Sequence, residues 1–247
     1  MEDEITTLHS HSLIDKYPIN YEKFPNSRNV KFYEIELNAG DFLVIPKRWL
    51  HWVDSEPNTI AISYLIHDIK KVFSNDEIIS SILDSQFYKG NIKVDFDFNK
   101  FISEKYNERF EVFISEDMDL SPVIKDNKFK EKINDVKLKN IISYINNNKH
   151  LYFYIGMNNI ERDDPFYKIP NFDDLDYHSC FQYRTFLWIN FNKSINSGLH
   201  YDSKDNILHV LHGKKRVLLS SPYNIPFLYI IPFNIIKKGD YNKIIKI

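Results

Sequence analysis

Between Val30 and Leu37 the chain sets Val30, Phe32, Glu34 and Glu36 against Lys31, Tyr33, Ile35 and Leu37, a two-residue period that predicts a strand. Asn38-Ala39-Gly40-Asp41 reads as a turn, and Phe42–Ile45 as a short apolar strand stopped by Pro46. Thr59–Ile66, rich in β-branched residues, predicts a third strand. The pattern then changes to a helical one. Ser74-Asn75-Asp76-Glu77 resembles a capping box ahead of Ile78, Ile79, Ile82 and Leu83, and Asp97 is placed to cap a second helix reaching Tyr106, with Phe98, Phe101 and Ile102 facing inward. Phe110–Ile114 returns to a strand pattern. Leu138, Ile141, Ile142 and Ile145 line one face of a further helix, closed by Asn146-Asn147-Asn148. Leu151–Gly156, Thr185–Phe191, Asn206–Leu211 and Arg216–Leu219 complete the strands. The order is strands, helices, strands, with no tandem repeat at solenoid period.

Composition narrows the class. A chain of 247 residues, 43% hydrophobic and 15% aromatic, has enough apolar surface for one substantial core and is not a disordered chain. With 32 basic and 34 acidic residues the net charge is -2, so no general attraction to nucleic acid or to an anionic membrane is expected. The strongest apolar run, Phe227–Phe233, is short and broken by Pro232, and Met1-Glu2-Asp3-Glu4 lacks the basic start of a signal peptide. A single cysteine, Cys180, excludes an internal disulfide and a cysteine-based zinc site, which fits an intracellular, reducing compartment, nuclear or cytoplasmic.

The candidate chemistry lies at Leu199-His200-Tyr201-Asp202. On an extended strand His200 and Asp202 share a face, and an imidazole beside a carboxylate is two-thirds of the 2-His-1-carboxylate set that holds non-haem Fe(II) with positions left open. The remaining histidine does not follow downstream; the best candidate is His51, far upstream.

Two stretches resemble the JmjC and cupin-like Fe(II)/2-oxoglutarate oxygenases, which are built on a double-stranded β-helix. Glu36–Val53, with its Gly40-Asp41 turn, Pro46 and Trp49-Leu50-His51, is similar to the late part of that barrel, where the distal metal ligand sits. Leu187–Pro222 is similar to the early part with its His-x-Asp, and Phe101–Ile114 and Val136–Gly156 are similar to the elements that precede it. The resemblance implies a mainly β fold with added helices, a double-stranded β-helix of cupin or jelly-roll type. Residues 1–70 would supply the C-terminal half of the barrel, 71–150 a mainly helical lead-in, and 151–247 the N-terminal half. This order inverts the family's. Three arrangements answer to it: one permuted barrel, two chains complementing each other in a homodimer, or a piece of a longer tandem protein.

The resemblance also implies residue roles. His200, Asp202 and His51 would hold Fe(II). Lys215 would pair with the distal carboxylate of 2-oxoglutarate, with Lys214 as the rival on the opposite face, while Asn206, Ser197 and Tyr152 would hydrogen-bond the same cosubstrate. Ser63 stands where many relatives carry Asn. A protein or peptide side chain is the implied substrate of a hydroxylase or demethylase; a cupin-like binding protein without activity is the alternative. His209 alternates away from Asn206, His212 shares its face, and His9, His11, His67, His150 and His178 read as surface or loop histidines.

Overall fold

The computed structural model describes residues 10–66, 87–119, 130–160 and 182–231. The expected capping box at Ser74–Glu77, along with His9, His67, His178 and Cys180, lies outside these residues. Thirteen strands are described: β1 (Tyr33–Asn38), β2 (Asp41–Ile45), β3 (Leu50–Ser55), β4 (Thr59–Ile66), β5 (Tyr88–Asn91), β6 (Arg109–Ser115), β7 (Lys130–Lys137), β8 (Tyr152–Asn159), β9 (Gln182–Asn190), β10 (Ile195–Asn196), β11 (His200–Tyr201), β12 (Asp205–His212) and β13 (Lys214–Ser220). Two α-helices accompany them, α1 (Phe98–Glu104) and α2 (Leu138–Asn147).

The strands form two sheets of mostly antiparallel pairs. One runs β1-β13-β3-β10, with β11 also on β3; the other runs β5-β2-β12-β4-β9-β8-β6-β7. Strands from both ends of the chain interleave: β12 lies between β2 and β4, and β13 between β1 and β3. The two halves therefore meet within one chain. This is the mainly β, cupin or jelly-roll architecture expected from the sequence.

Period-two alternation divides the side chains into three layers. Leu37, Leu43, Ile45, Ala61, Leu208, Val210, Val217 and Leu219 pack between the sheets. The outer face of the larger sheet buries Phe42, Ile60, Ile62, Phe153 and Ile155 under Phe101 of α1 and Leu138 and Ile141 of α2. On the outer face of the smaller sheet, Leu50, Trp52 and Leu218 are covered by Ile14, Ile19, Phe24 and Leu228.

Local chemistry explains the boundaries. In the β1–β2 turn Gly40 adopts φ +93, and the Asp41 carboxylate accepts the Asn38 amide at 2.9 Å. Asp97 caps α1 by accepting the Lys100 amide at 3.0 Å, and the helix ends at Glu104, two residues before the expected Tyr106. The stretch expected to be mainly helical is mixed among its described residues, because β5, β6 and β7 join α1 and α2 there. β7 (Lys-Glu-Lys-Ile-Asn-Asp-Val-Lys) is an edge strand, and charge on an edge blunts pairing with other chains while hiding the strand from a hydrophobicity reading.

Candidate metal centre

The site forms where β11 meets β3. In their antiparallel register His200 stands directly opposite His51, and the two ring centroids are 4.2 Å apart. Asp202, just past β11, brings Oδ2 to 3.6 Å from His51 Nε2. One ligand atom from each of His51, His200 and Asp202 lies within 4.8 Å of the other two. The three residues that the sequence singled out as ligands thus converge, although the two histidines come from opposite halves of the chain.

Each histidine is oriented in the same manner. His51 Nδ1–H donates to the Trp49 carbonyl at 3.0 Å, and His200 Nδ1–H donates to the Gly198 carbonyl at 3.1 Å. A backbone carbonyl two residues earlier thus fixes the tautomer of each ring and leaves Nε2 with its lone pair available, the usual outer support of a metal-bound imidazole. Burial holds the His200 imidazole well below its ordinary pKa, with further lowering from His51 and His11 and partial opposition from the Gly198 carbonyl. A neutral imidazole is the form that binds metal. Asp202 is steadied from the side: Asn206 Nδ2–H donates to its Oδ2 at 3.1 Å, and the Arg48 amide donates to its backbone carbonyl at 2.9 Å.

Lys215 lies deeper between the sheets. Gly213, at φ +78, turns the chain so that Lys214 points outward to Glu36 (2.7 Å) while Lys215 points in, 2% exposed. Its Nζ donates to Ser55 Oγ and stands 5.9 Å from the ring centroid of Tyr154. No carboxylate partners it among the described residues. Burial alone pushes its pKa down to about 7, the expected response of an ammonium group taken out of water without a counter-ion. Asn206 Oδ1, also buried, has no hydrogen-bond partner among the described residues. An unneutralised buried cation on β13 and an orphaned amide oxygen on the residue that holds Asp202 fit a polar, anionic ligand next to a metal ion.

The other expected cosubstrate contacts are placed differently. Ser197 Oγ accepts the Val53 amide at 3.1 Å and donates to the Gly198 carbonyl at 3.0 Å, so its one proton holds the loop that carries His200. Tyr152 sits beneath Lys193, whose Nζ is 4.6 Å from its ring. The tyrosine at Lys215 is Tyr154, which hydrogen-bonds Ser55; burial raises its phenol pKa, keeping it a protonated donor. Tyr154 also stacks on Trp188, centroids 5.8 Å apart, and Trp188 Nε1–H donates to Ser63 Oγ at 2.9 Å. The sequence did not single out Tyr154. It shares a strand face with Tyr152, so alternation alone could not separate them.

Three histidines also need correction or placement. His209 does alternate away from Asn206, and it is fully buried in the outer core with neither ring nitrogen hydrogen-bonded among the described residues. His212 was expected on the Asn206 face. A β-bulge between Val210 and His212 breaks the alternation, and His212 stacks on Phe98 instead, centroids 5.0 Å apart. His11, read as a surface or loop residue, is 6% exposed and stacks on His200.

Comparison with known proteins places this geometry. Over 232 residues the chain is 26% identical to a JmjC domain-containing protein of Acanthamoeba polyphaga mimivirus, covering 85% of this chain and 37% of the relative. Shorter matches, 40% and 37% identical over 50 and 51 residues, are to JmjC domain-containing protein C of Dictyostelium discoideum and Jumonji C domain-containing protein 5 of Drosophila melanogaster. They cover 20% and 21% of this chain, and 12% and 13% of those proteins. The chain thus spans well under two thirds of the length of each relative. No solved structure matches significantly. Among the described residues no helix is long and apolar enough to cross a membrane. The family model for the cupin-like domain matches residues 2–69 and 83–246, the two parts that the interleaved sheets bring together, and the chain belongs to that cupin-like family.

Proposed function

We propose that the chain is an Fe(II)- and 2-oxoglutarate-dependent oxygenase acting on a side chain of a protein or peptide. The observation that carries this reading is the convergence of His51, His200 and Asp202 within one chain, with both imidazoles tied back through Nδ1. Two imidazoles and one carboxylate leave coordination positions open and suit Fe(II). Bound iron and cosubstrate would supply the oxidising chemistry, coupling oxidative decarboxylation of 2-oxoglutarate to oxygenation of a substrate C–H bond.

The chain's own part is binding, orientation and exclusion of water. Lys215 meets the far carboxylate of the cosubstrate with a buried point charge, and the Tyr154 phenol and Ser55 hydroxyl stand beside it as neutral hydrogen-bonding groups. Asn206 holds one oxygen of Asp202 through Nδ2, so the carboxylate cannot swing away. Tyr154 stacked on Trp188, with the Trp188 indole tied to Ser63, flanks Lys215 on the side of the larger sheet. The protein or peptide substrate is inferred from the resemblance to the hydroxylases of the family alone.

The test is succinate formation by Fe(II)-loaded protein supplied with oxygen and 2-oxoglutarate. His51→Ala and His200→Ala should each fall to background, and Lys215→Met should raise the KM for 2-oxoglutarate. Absence of turnover in the wild-type protein overturns the oxygenase reading. Wild-type turnover by His51→Ala overturns the triad.

A further inference from the structure

β11 is only two residues long, and a strand so short fixes its side chains poorly if it is paired on one edge alone. Its first edge lies on β3. Its second edge is taken by the N-terminal segment: the Ser12 amide donates to the Leu199 carbonyl at 2.8 Å, and the Tyr201 amide to the Ser10 carbonyl at 3.0 Å. These bonds bracket His11 and His200 as a directly opposed antiparallel pair of the non-hydrogen-bonded kind, in which side chains approach most closely. The rings lie almost parallel, at 9° with centroids 5.0 Å apart. His51, His200 and His11 therefore form a rung of three imidazoles across three neighbouring chain segments, the middle one clamped between an angled ring and a flat one.

The segment bearing His11 is itself anchored. The Leu13 amide donates to the Tyr229 carbonyl at 3.0 Å, the Ile231 amide to the His11 carbonyl at 3.0 Å, and Ser12 Oγ to the Leu228 carbonyl at 2.5 Å. His11 thus belongs to a fixed wall. It is not among the atoms that converge with His51 and Asp202, and it meets His200 face to face.

We propose that His11 is a positioning residue of the metal centre: its ring lies flat on His200 and fixes the rotation that turns His200 Nε2 toward His51 and Asp202. The Gly198 carbonyl fixes one point of the His200 ring, and a single hydrogen bond leaves the ring free to tilt about that point; the flat contact removes the tilt. His11 meets His200 through its flat face, so another flat ring should keep that contact. This inference rests on the metal-centre reading for its consequence, while the stack itself is a property of the metal-free protein.

The experiment compares wild type with His11→Ala, His11→Leu and His11→Phe by two readouts. His11→Leu keeps apolar volume without a flat face and serves if the alanine variant fails to fold. In metal-free protein, the His200 ring-proton resonances should move in His11→Ala and His11→Leu and stay near wild type in His11→Phe. In a Co(II) titration followed by visible absorption, the alanine and leucine variants should bind about tenfold more weakly, as expected when an outer support of a ligand is lost. His11→Phe should restore affinity with an unchanged spectrum. Unmoved resonances in both truncated variants overturn the proposal. So does a phenylalanine variant as weak as alanine with an altered cobalt spectrum, which would make His11 a ligand. If wild type and His200→Ala take up Co(II) equally, the metal-centre reading fails, and the ring resonances alone decide whether the stack orients His200.

Discussion

Binding of 2-oxoglutarate should be coupled to protonation of Lys215. In the ligand-free protein burial holds this lysine at about 7, whereas a carboxylate placed against it would keep the ammonium charged far above that. Binding at alkaline pH must therefore take up a proton. With a free pKa of about 7, the protonated fraction falls from ~0.9 at pH 6 to ~0.1 at pH 8 and ~0.01 at pH 9. The Kd should then rise about tenfold from pH 6 to pH 8 and about 100-fold by pH 9, with uptake of roughly 0.9 proton per cosubstrate at pH 8. His200, already held low, is neutral throughout this window and does not contribute. Calorimetry of Mn(II)-loaded protein in two buffers of different ionisation enthalpy measures the uptake directly, and Lys215→Met should bind weakly without it. A Kd independent of pH from 6 to 9, or no proton uptake at pH 8, refutes the reasoning. The ligand-free protein gives the opposite face of the same linkage. Its folded pKa is below the unfolded one, so the unfolded chain binds more protons between about 7 and 10.5, and stability should rise over that interval. Lys215→Met should be more stable than wild type below pH 7, by an amount that fades toward pH 10.5.

Two predictions concern the scaffold. Burial pushes His209 down to about 4, so the unfolded chain binds its proton first and stability should fall as pH drops from 6.5 toward 4. His209→Leu should remove roughly 2–3 kcal/mol of the loss between pH 7 and 4.5 in urea unfolding, and an identical pH dependence in both proteins would contradict this. Asn190 Nδ2 donates to the carbonyls of Ser55, Glu56 and Lys193 at 3.0, 2.7 and 2.7 Å, clamping the end of β3 beside Lys215. Asn190→Ala should cost about 1–3 kcal/mol by orphaning these acceptors, seen as a lower Tm; an unchanged Tm would show that water replaces the amide.

The legible parts of the sequence were those where local pattern and tertiary burial agree. Thr59–Ile66 was read to the residue because a β-branched run buried on both faces looks the same from sequence and from structure. Lys215 was separated from Lys214 because Gly213 fixes where the β12–β13 turn ends. β7 escaped because an edge strand carries charges that hydrophobic periodicity ignores. The family resemblance points to Tyr152, Tyr154 shares its face two residues on, and only pairing of β8 with β6 and β9 decides which one reaches Lys215. The Asn206 face was extended to His212 across a bulge that leaves no local signal. His11 was missed for a broader reason: its meaning comes entirely from a partner in the other half of the chain.

The pairing of His51 with His200 also bears on when such a site can exist. Its ligands lie roughly 150 positions apart, so the site closes only once distant parts of the chain have come together. A chain still emerging during synthesis carries His51 without its partners and offers no premature trap for a stray ion. Once formed, the site joins strands from both halves, so any ion held there fastens one end of the fold to the other. Occupancy would then raise resistance to unfolding in proportion to the logarithm of free metal, and a chelator would loosen the whole barrel as well as empty one site.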